Sequence, residues 1–429
     1  MIKFIYKKSF RPVGHSENIG GYSACFVDKN SSLHELDNFG TKKTLNSIFD
    51  TTLVEKVEKF SVDGKCIHLV PNGNGNVNDT FVATLKEGEM KKKYTLQRIN
   101  HQVFKNPAEL MDNFSRVSRH LQTKPGRRCL RVIPAKDGQF YHLDEDGNYW
   151  RLMEYIEGVK CLEVPQNRKQ AYEVARTFGQ FQADLLDLPG KRLLETIPEF
   201  HNTSKRFDSF SQALILDVKK RACSVKEWID FVQGRKILCD ALRTEELPVR
   251  VVHNDTKINN VLLDAKSEEG VCAIDLDTVM PGCVLHDFGD LVRTAACPAS
   301  EDEMNLEKVI FLPETYEAIV EGYYQATCEF LSDLEIRRLA KAPMVITYEL
   351  GVRFLTDYLL GDAYFKINYP EHNLNRAQVQ FSLLSSMEGD VDRMEAIVAK
   401  VCQSTGRIMV GKTLGFLYNI LLASALMLY

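Results

Sequence analysis

Apolar residues change their spacing along this chain, and each change marks a different kind of element. Residues 1–50 show no sustained period and carry a polar stretch, Asp28-Lys29-Asn30-Ser31-Ser32, so they read as a loosely structured extension with no chemistry assigned. From Ile67 short apolar runs alternate with turns, and residues 67–70, 81–85 and 94–99 read as strands of a meander. Asn106-Pro107 then opens a segment in which Leu110, Met111, Phe114, Val117 and Leu121 fall three and four apart, the spacing of one helix face. Two more strands are expected at 129–134 and 149–156, joined by the turn Asp144-Glu145-Asp146-Gly147. This small sheet with one inserted helix ends near Gly158.

Beyond it the three-and-four spacing dominates, as in Ala171, Val174, Ala175, Phe178, Phe181 and Leu185, with further helical patterns over 205–243, 303–331, 333–367 and 374–402. One β-rich island, 249–274, interrupts them, and polar residues concentrate there. The expected class is α+β: a two-lobed fold with a β-rich first lobe, residues 48–158, a larger helical second lobe, 159–405, and a cleft near 155–160. Segments 1–47 and 406–429 fall outside both lobes.

Composition narrows the function. A chain of 429 residues with 44% apolar and 26% charged residues is globular, neither fibrous nor disordered. Its 54 basic and 58 acidic residues leave a formal charge of −4, without the basic field that draws a protein to nucleic acid, so a small-molecule partner is expected. The 11 cysteines are odd in number, scattered and without a C-x-x-C pair, which fits reduced thiols in a cytoplasmic protein. Polar residues break the N-terminal segment before a secretory apolar run can form. Residues 413–429 carry no charge and sit at the lower edge of the roughly 17–25 residues that span a bilayer. They read as a buried terminal helix or an extension in preference to a membrane anchor. Oligomeric state is not legible.

The chemistry gathers in Val251-Val252-His253-Asn254-Asp255-Thr256-Lys257-Ile258-Asn259-Asn260-Val261-Leu262, followed after a turn by Ala273-Ile274-Asp275-Leu276-Asp277. Strand, polar loop and strand form a rigid frame that presents an Asp, a Lys, an Asn and a second Asp to one point, a set suited to phosphate and metal. Asp255 would accept or orient the proton of an attacking hydroxyl, and Lys257 would reach a γ-phosphate. Asn260 and Asp275 would supply the hard oxygen ligands that Mg²⁺ prefers. The Asp, Lys and Asn offsets match the H-R-D-L-x-x-x-N loop of kinases, with Lys at the first variable position. The competing reading is a polar loop that only caps two buried strands.

Weaker pieces stand in matching order. Asn74, Gly75 and Asn76 lie in an Asn/Gly hairpin whose backbone N–H groups could cover the phosphates of ATP, although the same string suits an ordinary turn. In strand 94–100, Arg98 shares a face with Leu96 and is the inward candidate for phosphate, with Glu109 or Asp112 as partner. Glu154 and Ile156, in Met153-Glu154-Tyr155-Ile156-Glu157-Gly158, are placed to offer main-chain groups to an adenine edge.

These residues resemble the aminoglycoside phosphotransferase and choline kinase superfamily, a protein-kinase-like fold with an H-x-D-x-x-x-x-N loop followed by I-D-x-[DE]. Within it the closer likeness is to N-acetylhexosamine 1-kinases, carried by HNDTKINNVLLD, AIDLDTVMPG, HDFGDLVRTAA, YTLQRIN and MEYIEG over about residues 48–405. The resemblance implies Asp255 as catalytic base, Asn260 and Asp275 as Mg²⁺ ligands, and transfer from ATP to the anomeric hydroxyl of N-acetylglucosamine or N-acetylgalactosamine. It also points to 349–353 and 362–365 for the sugar, with Arg353 and Tyr364 as contacts. Their separation of eleven residues, about three helical turns, puts them on one face. The alternative pairs Arg353 with Asp357 and buries Tyr364. The small-lobe basic residue is Arg98 where protein kinases use Lys, a departure that leaves its role open. Asp287 and Asp290 are expected to brace the loop.

Three functions compete: a sugar kinase, an aminoglycoside or other amine-directed kinase, and a catalytically dead kinase-like binding module. Residues 337–376 carry six Arg/Lys against four Asp/Glu, a poor pocket for a polycation, and Asp255, Asn260 and Asp275 are all retained, which argues against a dead module. No A-P-E segment of a protein kinase follows Asp275.

Overall fold

The computed structural model describes residues 4–7, 23–27, 33–36, 42–44, 51–72 and 77–404. The hairpin residues Asn74, Gly75 and Asn76 and the apolar segment 413–429 lie outside them. Near the N-terminus, Phe4–Lys7, Ser23–Val27, Leu33–Leu36 and Lys42–Thr44 pair in chain order as an antiparallel sheet, where the sequence pattern predicted no regular element. Strands of three to five residues are too short for a period of two to register.

Helix Thr51–Val57 leads into the first lobe, whose antiparallel sheet runs in the order Lys65–Pro71, Asp79–Glu87, Met90–Ile99, Tyr149–Glu154, Val132–Ile133, with His142–Leu143 beside Tyr149–Glu154. Alternation along the two central strands separates two faces. Tyr94, Leu96, Trp150 and Leu152 pack with Val57 and Phe60 on one side, whereas Ile99 and Met153 belong to the core shared with Met111 and Phe114 on the other. That second side is covered by helix Pro107–Gln122, which starts where its sequence signals place it: the Asn106 side chain accepts from Glu109 N, and proline opens the first turn.

The second lobe holds helices Arg168–Asp184, Thr203–Leu216, Lys226–Gly234, Val284–Ala295, Pro313–Thr327, Asp333–Arg338, Ala342–Leu360, His372–Gly389 and Val391–Ser404. Two expected helical stretches are shorter than their patterns. Asp217 turns left-handed (φ 32°) and closes Thr203–Leu216, and the α-helix within 303–331 begins only at Pro313. The β island forms as two pairings: Arg250–Val252 with Met280–Gly282, and Val159–Lys160, Val261–Asp264 and Gly270–Ala273 as a three-stranded sheet. Helix Val284–Ala295 packs against Ala342–Leu360 at Gly289, where a Cβ would stand 2.6 Å from the Ala342 carbonyl oxygen. Glycine is required by that approach, and the approach holds the helix against the polar loop. Among the described residues no helix is long and apolar enough to cross a membrane.

Candidate active site

The polar loop between Arg250–Val252 and Val261–Asp264 is held from beneath by helix Val284–Ala295. The Asp287 carboxylate, in the helix's first turn, accepts from His253 N at 2.8 Å, Asn254 N at 2.7 Å and Gln182 Nε2 at 2.8 Å. Thr256 Oγ1 donates to the Asp287 carbonyl, and Ile258 N donates to Thr294 Oγ1 at 3.3 Å. His253 is buried with its ring edge-on to Phe178 and Phe181, and its Nε2 donates to the Ile274 carbonyl at 2.8 Å. The bonds to His253 N, Asn254 N and Ile258 N fix the loop backbone directly, so it can carry Asn254 at φ 63° immediately before Asp255.

The sequence-selected residues meet on that loop. Lys257 Nζ lies 3.0 Å from Asp255 Oδ1, and Asn260 Nδ2 donates to Asp255 Oδ2 at 3.0 Å and to the Asp255 carbonyl at 2.8 Å. Burial pushes the Asp255 carboxyl up, but the charge and hydrogen bond of Lys257 outweigh it and hold the group below the usual carboxylate value. Lys257 is raised in turn, chiefly by the charge of Asp255. Asp255 is therefore an ionised, doubly held acceptor at neutral pH. Ile274 N donates to the Asn260 carbonyl at 2.8 Å, continuing the Val261/Ala273 register and bringing Asn260 beside Asp275.

Asp275 differs from its neighbours. It is left-handed (φ 58°), exposed, and its carboxylate makes no hydrogen bond or ion pair among the described residues. The surrounding protein, then the charges of Asp277 and Asp255, push its carboxyl up to about 7. With Asn260 Nδ2 engaged by Asp255, the Asn260 amide oxygen and the Asp275 carboxylate are left as hard oxygen donors crowded by like charge, a set that fits Mg²⁺. Among the described residues no cluster of three or more His, Cys, Asp or Glu could hold a metal, so phosphate oxygens and water would complete the coordination.

Arg98 is not at this site. It does share the Leu96 face, but that face turns toward Trp150 and away from helix Pro107–Gln122. Arg98 is 46% exposed there, ion-paired with Asp79, and its guanidinium lies 6.0 Å from the Trp150 ring. Neither Glu109 nor Asp112 pairs with it; Asp112 lies beside Arg116. On the opposite face stands Arg151, which sequence reasoning missed. Its side chain is buried, hydrogen-bonded through Nε to Gln97 Oε1 at 2.9 Å and paired through both terminal nitrogens with Asp277, whose Oδ2 also accepts from Asn78 at 2.6 Å. First-lobe strands are thus tied to the turn bearing Asp275. An arginine flanked by Trp150 and Leu152 in a strand was the available signal. Glu154 N is taken by the Arg131 carbonyl, while no main-chain bond among the described residues engages Ile156.

Arg353 and Tyr364 do not share a helix face, although each borders the Phe365 ring. Helix Ala342–Leu360 ends at Gly361 (φ 98°), so Tyr364 belongs to the following loop and is 66% exposed. Asp357 folds that loop back by accepting from Ala363 N, Tyr364 N and Phe365 N at 2.9–3.0 Å, and from Asn373 Nδ2. It is therefore unavailable to Arg353, whose guanidinium instead lies 5.5 Å from the Phe200 ring and 5.6 Å from the Phe365 ring. No ion pair engages Arg353 among the described residues.

A second buried pair supports the catalytic loop from this side. His201 Nδ1 lies 2.9 Å from Glu349 Oε1, its Nε2 donates to the Asn254 carbonyl at 3.3 Å, and Thr203 Oγ1 donates to Glu349 Oε2. Burial opposes charge on both groups, yet each stabilises the other: His201 is raised and Glu349 is held down to about 2. A cavity of about 560 Å³ opens behind the loop against Phe200, His201, Asn254 and His286; Asp255, Asp275 and Arg353 do not line it.

A strand-borne Asp/Lys/Asn loop, a second acidic turn one register away, and an antiparallel small lobe tied across a cleft to a helical lobe define a protein-kinase-like fold. Residues 68–323 match the sequence model of the phosphotransferase enzyme family, and the chain belongs to that family. Its fold is similar to that of the microcompartment-associated aminopropanol kinase (TM-score 0.51, 15% identity, 80% of this chain and 98% of that one). It is also similar to a mutant aminoglycoside 2′-phosphotransferase IIIa solved as its GDP complex (TM-score 0.50, 13% identity, 79% and 97%).

Proposed function

We propose that this protein transfers the γ-phosphoryl group of ATP to the anomeric hydroxyl of an N-acetylhexosamine, giving the sugar 1-phosphate. The observation that carries the reading is Asp255, kept ionised by Lys257 and Asn260 one strand from an unpaired Asp275. Asp255 Oδ accepts the hydrogen bond of the reacting hydroxyl, orients its lone pair, and takes its proton as the new oxygen–phosphorus bond forms and the bond to the departing ADP breaks. Lys257 neutralises charge on the transferred group. Asn260 and Asp275 hold Mg²⁺, which when bound supplies charge stabilisation between the phosphates. In this reading residues 48–158 bind nucleotide, Ile156 offers its free main-chain groups to the base, and 159–405 hold the acceptor between Asp255 and the Arg353/Tyr364 wall; the setting is cytoplasmic.

The segment that carries Arg353 and Tyr364 favours a neutral sugar over an aminoglycoside or choline: residues 337–376 hold six basic and four acidic side chains. The test is nucleotide consumption by the purified chain with Mg²⁺ and either ATP or GTP, against N-acetylglucosamine, N-acetylgalactosamine, glucose, choline, aminopropanol and kanamycin, with the product linkage read by ³¹P NMR. An anomeric phosphate from the two N-acetylhexosamines is expected. Turnover confined to choline, aminopropanol or kanamycin would replace the substrate while leaving Asp255 its role.

A further inference from the structure

Helix Val284–Ala295 touches the catalytic loop at two places, through Asp287 to His253 and Asn254 and, seven residues on, through Thr294 to Ile258. Asp290 lies three residues after Asp287 and four before Thr294, on the same helix face and opposite loop residues 255–257. Its charge acts on both Lys257 and His201. The Asp290 side chain is nine-tenths buried. One oxygen, Oδ1, accepts from Arg293 Nε at 3.0 Å and Nη2 at 2.8 Å. The other, Oδ2, is buried without a hydrogen-bond partner. Arg293 cannot turn to serve it, because Nη1 is held by Glu301 at 3.1 Å and Gln380 at 3.5 Å. A buried carboxylate oxygen with no donor is costly unless something outside the chain supplies one.

We propose that Asp290 Oδ2 accepts a hydrogen bond from a non-reacting hydroxyl of the acceptor, fixing its orientation while Asp255 engages the hydroxyl that is phosphorylated. Expected to brace the loop, the Asp290 side chain bonds Arg293 instead, and it thereby becomes a specificity-determining contact. Asp255, Asp290 and Glu349 are each paired with a cation, Lys257, Arg293 and His201, which suits a neutral polyhydroxylated acceptor better than a polyamine. The assignment rests on the proposed phosphotransfer, and its test separates the two.

The acceptor taken from the panel above is compared with analogues lacking one non-reacting hydroxyl each, using wild type and Asp290→Asn. With N-acetylglucosamine these are the 3-, 4- and 6-deoxy sugars. Wild type is expected to lose about tenfold or more in kcat/KM with one analogue, because a site built to hydrogen-bond a hydroxyl rejects the compound lacking it. Asp290→Asn should lose a similar factor with the parent, distinguish parent from that analogue by less than about threefold, and keep its KM for ATP. Equal losses by the variant on parent and every analogue, or a wild type indifferent to every deletion, would overturn the proposal. Should D290N fail to fold, D290E retains the charge paired with Arg293 while displacing the free oxygen, and the same series applies. If no hexosamine is turned over, the substrate reading falls; with glucose or kanamycin the deletion series still decides Asp290, whereas turnover confined to choline or aminopropanol, which have no non-reacting hydroxyl, would overturn its assignment as well.

Discussion

Replacing Arg151 by methionine removes a buried cation that links the first lobe to the turn carrying Asp275. In the native chain Asp277 receives both terminal nitrogens of Arg151, one of them at 3.0 Å, and Asn78 at 2.6 Å, in a site where the arginine and aspartate side chains are 1% and 4% exposed. Methionine fills most of the stem beside Phe114 and Met111 but leaves Asp277 with a single neutral donor. Stranding one charge of a buried pair costs about 3–5 kcal/mol, whereas removing both charges is often near neutral. Arg151→Met should therefore lose about 3–5 kcal/mol in urea unfolding of the ligand-free protein, and Arg151→Met/Asp277→Asn should recover half of that or more. Because Asp277 is two residues from Asp275, the single variant should also need more Mg²⁺ for half-maximal rate. A loss below about 1 kcal/mol in the single variant, or a double variant no more stable than it, would refute the argument that the pair is an obligatory tie between lobes.

Asp275→Asn should raise the Mg²⁺ concentration for half-maximal rate by an order of magnitude or more; superimposable activation curves would remove Asp275 from the metal site. Asp357→Ala frees the main-chain N–H groups of Ala363, Tyr364 and Phe365, and is expected to raise acceptor KM about tenfold with ATP KM unchanged in steady-state kinetics. The His201/Glu349 pair makes stability depend on pH in both directions. The His201 value is raised when folded, so its contribution is complete below about 6.5 and is lost as pH rises through the folded value. Glu349 is depressed to about 2, so its contribution is present above about 4.5 and fades as pH falls toward 2. Thermal melts from pH 5 to 9 should show wild type falling toward His201→Gln as pH rises, and parallel curves would contradict the pairing.

Elements with long periods were legible in the sequence, and so was the convergence of the loop's polar residues. Helix Pro107–Gln122 announced its start through Asn106 and Pro107 and its buried face through Leu110, Met111 and Phe114. Asp255, Lys257, Asn260 and Asp275 were found because a strand–loop–strand unit brings them together locally. What escaped was set by distant contacts. The face of Met90–Ile99 that meets the cleft depends on where helix Pro107–Gln122 lands, and alternation alone assigned Arg98 and overlooked Gln97 and Arg151. Arg353 and Tyr364 were paired by helical arithmetic that Gly361 interrupts, and Asp357 instead captures the loop that carries Tyr364. His201 and Glu349, 148 residues apart, carry no joint signature in a single sequence.

The most direct measurement on the central claim is a comparison of wild type and Asp255→Asn by steady-state kinetics with the best acceptor and by calorimetric titration with ATP and Mg²⁺. The substitution keeps the shape and one oxygen of a side chain held by Lys257 and Asn260 while removing its charge. The account predicts a fall in kcat of about a thousandfold or more with ATP affinity changed less than about threefold, because Asp255 acts on the attacking hydroxyl and not on the nucleotide. A kcat within about tenfold of wild type would contradict it.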